Sequence, residues 1–98
     1  MATISKKELV DRIANKMGIK HVTVKTVVQH LLDEIIVELA LNNRLEFRDF
    51  CVFEPRTRAA RTAQNPKTLE RIQVSAKRIV KFKAGQMMRK KLNDGANL

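Results

Sequence analysis

The residues whose types and spacing could do chemistry lie between positions 56 and 71. Arg56, Arg58, Arg61, Lys67 and Arg71 are opposed there only by Glu70. Gln64, Asn65 and Thr68 add hydrogen-bonding groups, and Pro66 follows Asn65 directly. The stretch has one large apolar residue, Leu69, and no aromatic. It cannot bury enough apolar surface to fold onto a core. Asn-Pro is a strong turn signal. Two extended segments joined at a tip, with Pro66 at or beside the apex, are the simplest shape. A ribbon of fixed cations held away from the core suits a polyanion. Lys77, Arg78, Lys81 and Lys83, just beyond it, extend the basic character.

The charge is unevenly spread. The chain of 98 residues has a net charge of +10. Residues 1–50 hold eight Lys/Arg and seven Asp/Glu, and residues 51–98 hold twelve and three. The first half reads as a solvated scaffold, and the second as an electrostatic surface for nucleic acid or an anionic membrane. Cys51 is the one cysteine, which rules out an intrachain disulfide and fits a reducing compartment. The first residues lack the apolar region of a signal peptide, and no apolar run is long enough to span a bilayer. His21 and His30 have no matching cysteine cluster, so no metal site is expected. No Ser-His-Asp set, glycine-rich phosphate loop or acid–base pair suggests an enzyme or a small-molecule substrate, and no cofactor is expected.

The ribbon needs elements to carry it. Ser5 with Glu8 is a capping-box pattern, and Leu9, Val10, Ile13, Ala14 and Met17 follow at helical spacing. Gly18 is the stop, giving a helix over about Ser5 to Met17. Val24, Val27, Val28, Leu31, Leu32, Ile35 and Leu39 predict a second helix from about Val22 to Leu41, started by His21 or Thr23 and stopped at Asn42-Asn43. Its apolar face is broader than the first helix can cover, and a second copy of the chain is the economical cover. Leu45, Phe47, Phe50, Val52 and Phe53 read as strand, with alternation broken near Arg48-Asp49 by a turn or bulge. Pro55 marks a strand edge or the ribbon's exit. Ile72, Val74 and Ala76, then Val80 and Phe82, alternate with polar residues. Met87, Met88 and Leu92 predict a short helix over Gln86 to Asn93, followed by a tail over 94–98.

The spacing Phe50, Phe53, Arg58, Arg61, Ala63 and Asn65-Pro66-Lys67-Thr68 resembles the signature of the HU and integration host factor family of bacterial DNA-bending, histone-like proteins. The resemblance runs from about Ile4 to Asn93 and includes the turn Phe82-Lys83-Ala84-Gly85-Gln86. It implies an α+β fold in an intertwined dimer: two N-terminal helices, an antiparallel sheet saddle with an extended β-ribbon arm, and a short C-terminal helix. On this reading residues 1–98 are one domain. Residues 1–43 are the helical dimerisation part, 44–83 the sheet with its arm at about 54–75, and 84–93 the last helix. The resemblance further implies arms that enter the DNA minor groove, with Pro66 as the intercalating wedge. Arg58 and Arg61 then match the family's arm arginines, and Asn65 its tip asparagine. The family usually has glycine where Asp49, Cys51 and Leu69 stand here. Ala63 replaces a further glycine, and Lys20-His21 stand in for a hydroxyl cap.

The expected DNA-binding set is therefore Arg56, Arg58, Arg61, Gln64, Asn65, Pro66, Lys67, Thr68, Arg71, Lys77, Arg78, Lys81 and Lys83. Its expected partners are double-stranded DNA, preferably bent, nicked or distorted, and a second chain, either identical or a paralogue. The expected place is the nucleoid in the cytoplasm. Lys6, Lys7, Arg89, Lys90 and Lys91 read equally well as solvated charge. The alternative is a small basic RNA-binding or ribosome-associated protein, which composition alone fits as well. Single-strand RNA readers stack bases on exposed aromatics. The four phenylalanines here fall in apolar strand patterns and are expected in the core. Membrane-surface binding wants a helix with a basic polar face, and the first two helices carry mixed charge.

Overall fold

A computed structural model describes residues 1–96. The element order is α1 (Lys6–Met17), α2 (His21–Ala40), β1 (Leu45–Phe47), β2 (Cys51–Arg58), β3 (Arg61–Gln64), β4 (Arg71–Val74), β5 (Lys77–Ala84) and α3 (Gln86–Ala96). The chain forms two compact units, Met1–Val37 and the residues from Glu38 onward, with α2 running through the boundary.

Local chemistry sets the ends of α1. The Ser5 hydroxyl accepts from the Glu8 N–H at 3.3 Å, satisfying one orphan donor of the first turn. The Glu8 carboxylate pairs with Arg12 at 2.8 Å, so only half of the capping box is made. Gly18, at φ 66°, closes the helix, and the Ile19 N–H reaches the Ala14 carbonyl at 3.1 Å. That is Schellman closure, which favours glycine for its left-handed backbone. In this first unit Val10, Ala14 and Val24 are buried together, with Val28 packed against them. α2 begins at His21, whose Nδ1 lies 2.9 Å from an Asp11 carboxylate oxygen. Val22, Val27, Leu31, Ile36 and Val37 remain exposed along it, and so does Leu41 just past its end. Asn42, at φ 67°, ends it, and the Asn43 N–H bonds to the Glu38 carbonyl at 3.0 Å.

In the second unit β1, β2 and β5 form an antiparallel sheet in the order β1-β2-β5. The broken alternation near Arg48-Asp49 is a tight turn. The Phe50 N–H donates to the Phe47 carbonyl at 2.9 Å, and Asp49 sits at φ 65°. A positive φ at that position of a turn ordinarily selects glycine or asparagine. Phe50 belongs to this turn and not to a strand, and at 57% exposure it is not a core residue. Phe82, in β5, is 51% exposed and is not one either, while Phe47 and Phe53 are half-buried. β1 pairs with β2 only as far as Leu45↔Phe53. Pro55 lies past that point, where the β1 side of β2 is an edge and a missing N–H breaks no β1–β2 bond.

β2 and β5 pair without a bulge from Cys51↔Ala84 to Arg58↔Lys77. A second ladder, β3 with β4, runs from Arg61↔Val74 to Gln64↔Arg71. Two residues on each strand separate the ladders, Ala59-Ala60 and Ser75-Ala76, so the interruption neither gains nor loses register. Glu54 to Arg58 and Lys77 to Lys81 thus remain in the sheet's ladder, and Ala76 lies in the gap and not in a strand. The start of α3 is seated on the β1–β2 turn. The Gly85 N–H donates to the Phe50 carbonyl, and the Met87 N–H to the Asp49 carbonyl, at 2.6 and 3.0 Å. A Cβ on Gly85 would lie 2.6 Å from the Asp49 carbonyl carbon, so glycine is required there by close backbone approach. α3 continues to Ala96, three residues past the expected Asn93; the last two residues of the expected tail lie outside the described residues.

Candidate nucleic-acid interface

Strand side chains alternate between faces, so the register sorts the sheet. One face carries Cys51, Phe53, Pro55 and Thr57 of β2 with Ala84, Phe82, Val80 and Arg78 of β5. Its aromatic rings stack in series: Phe47 meets Phe53 edge-on at 6.1 Å, and Phe53 meets Phe82 at 5.4 Å. Cys51 is 1% exposed, and burial pushes its thiol pKa up. The other face carries Val52, Glu54, Arg56 and Arg58 with Lys83, Lys81, Ile79 and Lys77. Five of the expected site residues, Arg56, Arg58, Lys77, Lys81 and Lys83, therefore share one surface.

Glu54 stands among these cations and was absent from the expected set. Its carboxylate lies 3.5 Å from Lys83 Nζ and 3.4 Å from an Arg56 nitrogen. The Lys83 ammonium first, and then the Arg56 guanidinium, hold its pKa below the usual carboxylate range, outweighing partial desolvation. The two-residue spacing of Glu54 and Arg56 was the sequence signal for it. Arg89 of α3 lines a hollow of about 490 Å³ at the end of the sheet, together with Lys83 and Val52 of this face and Phe47, Cys51 and Ala84 of the other.

Arg78 is not brought together with the others. Its place in the register is beside Val80 and Phe82, on the apolar face. Its guanidinium donates at 2.8 Å to both the Leu39 and Ala40 carbonyls, the last carbonyls of α2. A cation on a helix C-terminus satisfies orphan acceptors and complements the helix dipole. Arg78 is a helix cap in this structure, and the alternation from Arg78 through Val80 to Phe82 was the signal for it.

At the gap between the ladders, Arg58, Arg61 and Lys77 line a hollow of about 430 Å³ with Ala59, Val74 and Ser75. In the second ladder Gln73 bonds Thr62 across the strands at 3.3 Å. The tip closes through its own hydrogen bonds. The Asn65 N–H donates to the Glu70 carbonyl, and the Leu69 N–H to the Asn65 carbonyl, both at 2.8 Å. The Asn65 side-chain oxygen accepts from the Lys67 N–H at 2.9 Å, an Asx-turn that spans Pro66. The Thr68 hydroxyl accepts from the Glu70 N–H, and the Gln64 amide donates to the Leu69 carbonyl. Asn65, Thr68 and Gln64 therefore build the turn, while Pro66 and Lys67 are displayed by it, both exposed. Arg71 is exposed opposite Gln64.

A cationic strand face continued by a closed, cationic two-stranded arm defines a module that grips a polyanion. Among the described residues no group of three or more His, Cys, Asp or Glu could hold a metal ion. The family described as "Bacterial DNA-binding protein" matches residues 4–93. The chain is 40% identical over 87 residues to integration host factor subunit alpha of Mannheimia succiniciproducens, covering 89% of each chain. It is 36% identical to DNA-binding protein HU of Thermotoga maritima, covering 91% of this chain and 99% of that one. An Anabaena HU–DNA cocrystal structure matches with a TM-score of 0.81 at 34% identity, covering 91% of this chain and 97% of the other. The chain belongs to the HU and integration host factor family of architectural DNA-binding proteins, which are not enzymes.

Proposed function

We propose that this chain works as a dimer that grips duplex DNA from the minor-groove side and bends it, with Pro66 inserted at a base step. The observation that carries this reading is the tip, a closed turn that leaves Pro66 exposed at the end of a cationic ladder. A proline ring has no N–H to bury unpaired, so it can enter a stack at no hydrogen-bonding cost. Unstacking costs a few kcal/mol per step, and the bend returns it through added contacts. Arg56, Arg58, Arg61, Lys67, Arg71, Lys77, Lys81, Lys83 and Arg89 hold phosphates. With about six to ten of the eighteen positions in a dimer meeting a phosphate at once, affinity falls on the order of 10³–10⁵-fold between 50 and 200 mM salt. Phosphate contacts read no sequence, and minor-groove hydrogen bonding separates mainly A·T from G·C. Preference therefore follows deformability, so nicked, bent or distorted duplexes bind best.

The exposed apolar side of α2 supports a second copy of the chain, or a paralogue, as its cover. We place the dimer on the nucleoid in the cytoplasm. No helix among the described residues is long and apolar enough to cross a membrane.

The test is binding to intact, nicked and pre-bent duplexes of one sequence, beside a structured RNA, across a salt series, with Pro66→Ala in parallel. Sedimentation of the same samples reports the dimer. Tighter binding to distorted DNA, lost in Pro66→Ala while the salt slope holds, is the expected result. Equal binding to all duplexes, indifferent to Pro66, reduces the arm to a cationic tether, and preference for the RNA overturns the reading.

A further inference from the structure

Leu69 bears two costs at one position. Its backbone sits at φ 60°, a left-handed conformation that is an outlier for a bulky side chain. That side chain is 69% exposed, so packing does not repay the strain. The hydrogen bond its N–H makes to the Asn65 carbonyl is a backbone bond that glycine would make as well. The tip turn itself therefore gives no reason for a leucine. Strain held at an exposed position is a reason to look for a ligand.

The same turn holds Pro66. The bond from the Leu69 N–H to the Asn65 carbonyl folds residues 65–69 into one loop, and the bond from the Asn65 N–H to the Glu70 carbonyl closes its neck. Pro66 and Leu69 are the two apolar side chains of this loop, among Asn65, Lys67, Thr68 and Glu70. We infer that Leu69 is a second DNA-contacting residue of the arm, packing its isobutyl group against the sugar edges or exposed base face at the step Pro66 opens. The inference rests on the wedge reading of the tip. Leucine, like proline, is among the apolar side chains used as wedges in minor-groove binding. Its branched chain presents more apolar surface than a proline ring, and that surface is covered most fully when the step is unstacked and a base face is exposed. Leu69 thus adds discrimination in favour of DNA that opens easily.

The experiment compares the full-length protein with Leu69→Gly, Leu69→Asn, Leu69→Met and Pro66→Ala. Affinity is read by fluorescence anisotropy on nicked and intact duplexes, and bending by energy transfer between end labels. Leu69→Gly is expected to bind the nicked duplex roughly tenfold more weakly, about 1.4 kcal/mol. Its thermal midpoint should be equal to or above that of the unsubstituted protein, since glycine relieves the backbone. Leu69→Asn, which tolerates the left-handed backbone, should lose affinity alike. Leu69→Met should retain it to within about twofold, as volume-conserving apolar changes do. Unchanged binding by Leu69→Gly, or an equal loss in Leu69→Met, overturns the inference. Pro66→Ala separates the two readings. If it leaves bending intact the wedge reading fails, and the glycine variant still decides whether Leu69 meets DNA.

Discussion

Arg78→Ala and Lys81→Ala should weaken different things, although the two residues lie three apart on one strand. Lys81 is on the cationic face, directly opposite Glu54. If it holds a phosphate, its loss lowers the slope of log affinity against log salt by about 0.9 for each chain, or about 1.8 for a dimer. Arg78 is on the apolar face with two 2.8 Å bonds to the final carbonyls of α2. Its loss leaves the slope unchanged. It removes two exposed charge-assisted hydrogen bonds and a favourable dipole contact, together about 1 kcal/mol. For a domain of this size that lowers the thermal midpoint by about 4–8 °C. The assays are a salt series on a single duplex and a melt followed by circular dichroism. If Arg78→Ala lowers the slope as much as Lys81→Ala and leaves the midpoint unmoved, the division of the sheet into two faces is wrong.

Gly85→Ala drives a Cβ into the backbone of Asp49 and Phe50 and displaces the two bonds that seat α3. A loss of about 2 kcal/mol, from two hydrogen bonds at about 1 kcal/mol each, should appear as a clear fall in the melting temperature. Glu54→Gln removes the carboxylate that occupies Lys83 and Arg56, so DNA affinity should rise at low salt and the gain should fade at high salt. The Glu54 pKa is depressed in the folded state, so its stabilising effect is present above the ordinary glutamate pKa of about 4.3 and is lost as pH falls through the lowered folded value. Acid titration of the two proteins should show the Glu54→Gln deficit at neutral pH vanishing in acid. Cys51 is buried with a raised pKa, so a thiol reagent should label the native protein far more slowly than the denatured chain.

Features set by neighbours in sequence were legible without a structure. Ser5 and Gly18 bound α1 because capping is a matter of a few residues, and the lapse in alternation after Phe47 marked a turn for the same reason. The two extended segments of the arm came from their cationic, apolar-poor composition and the Asn-Pro tip, and the α+β class from the family resemblance. The fate of Arg78 was hidden because its partners lie 38 and 39 residues earlier in the chain. Charge alone could not separate it from Lys77 and Lys81; its parity with Val80 and Phe82 could. Phe50 was misplaced because an aromatic beside strand formers reads as strand, whereas the left-handed Asp49 turns the chain before it. The turn-building bonds of Asn65 and Thr68 were not read from the sequence, although each accepts from an N–H only two residues on.

The matched gap between the two ladders restricts how such an arm can change length. Ala59-Ala60 faces Ser75-Ala76, two residues against two, so the pairing beyond the gap continues the pairing before it. One residue added to a single strand would shift every later pair and carry Arg61 and Arg71 to new neighbours. An addition of two residues to each strand would move the tip outward and leave every pair as it was. Insertions and deletions in this arm should therefore be tolerated in balanced pairs, and natural or engineered arms should differ in reach by even steps.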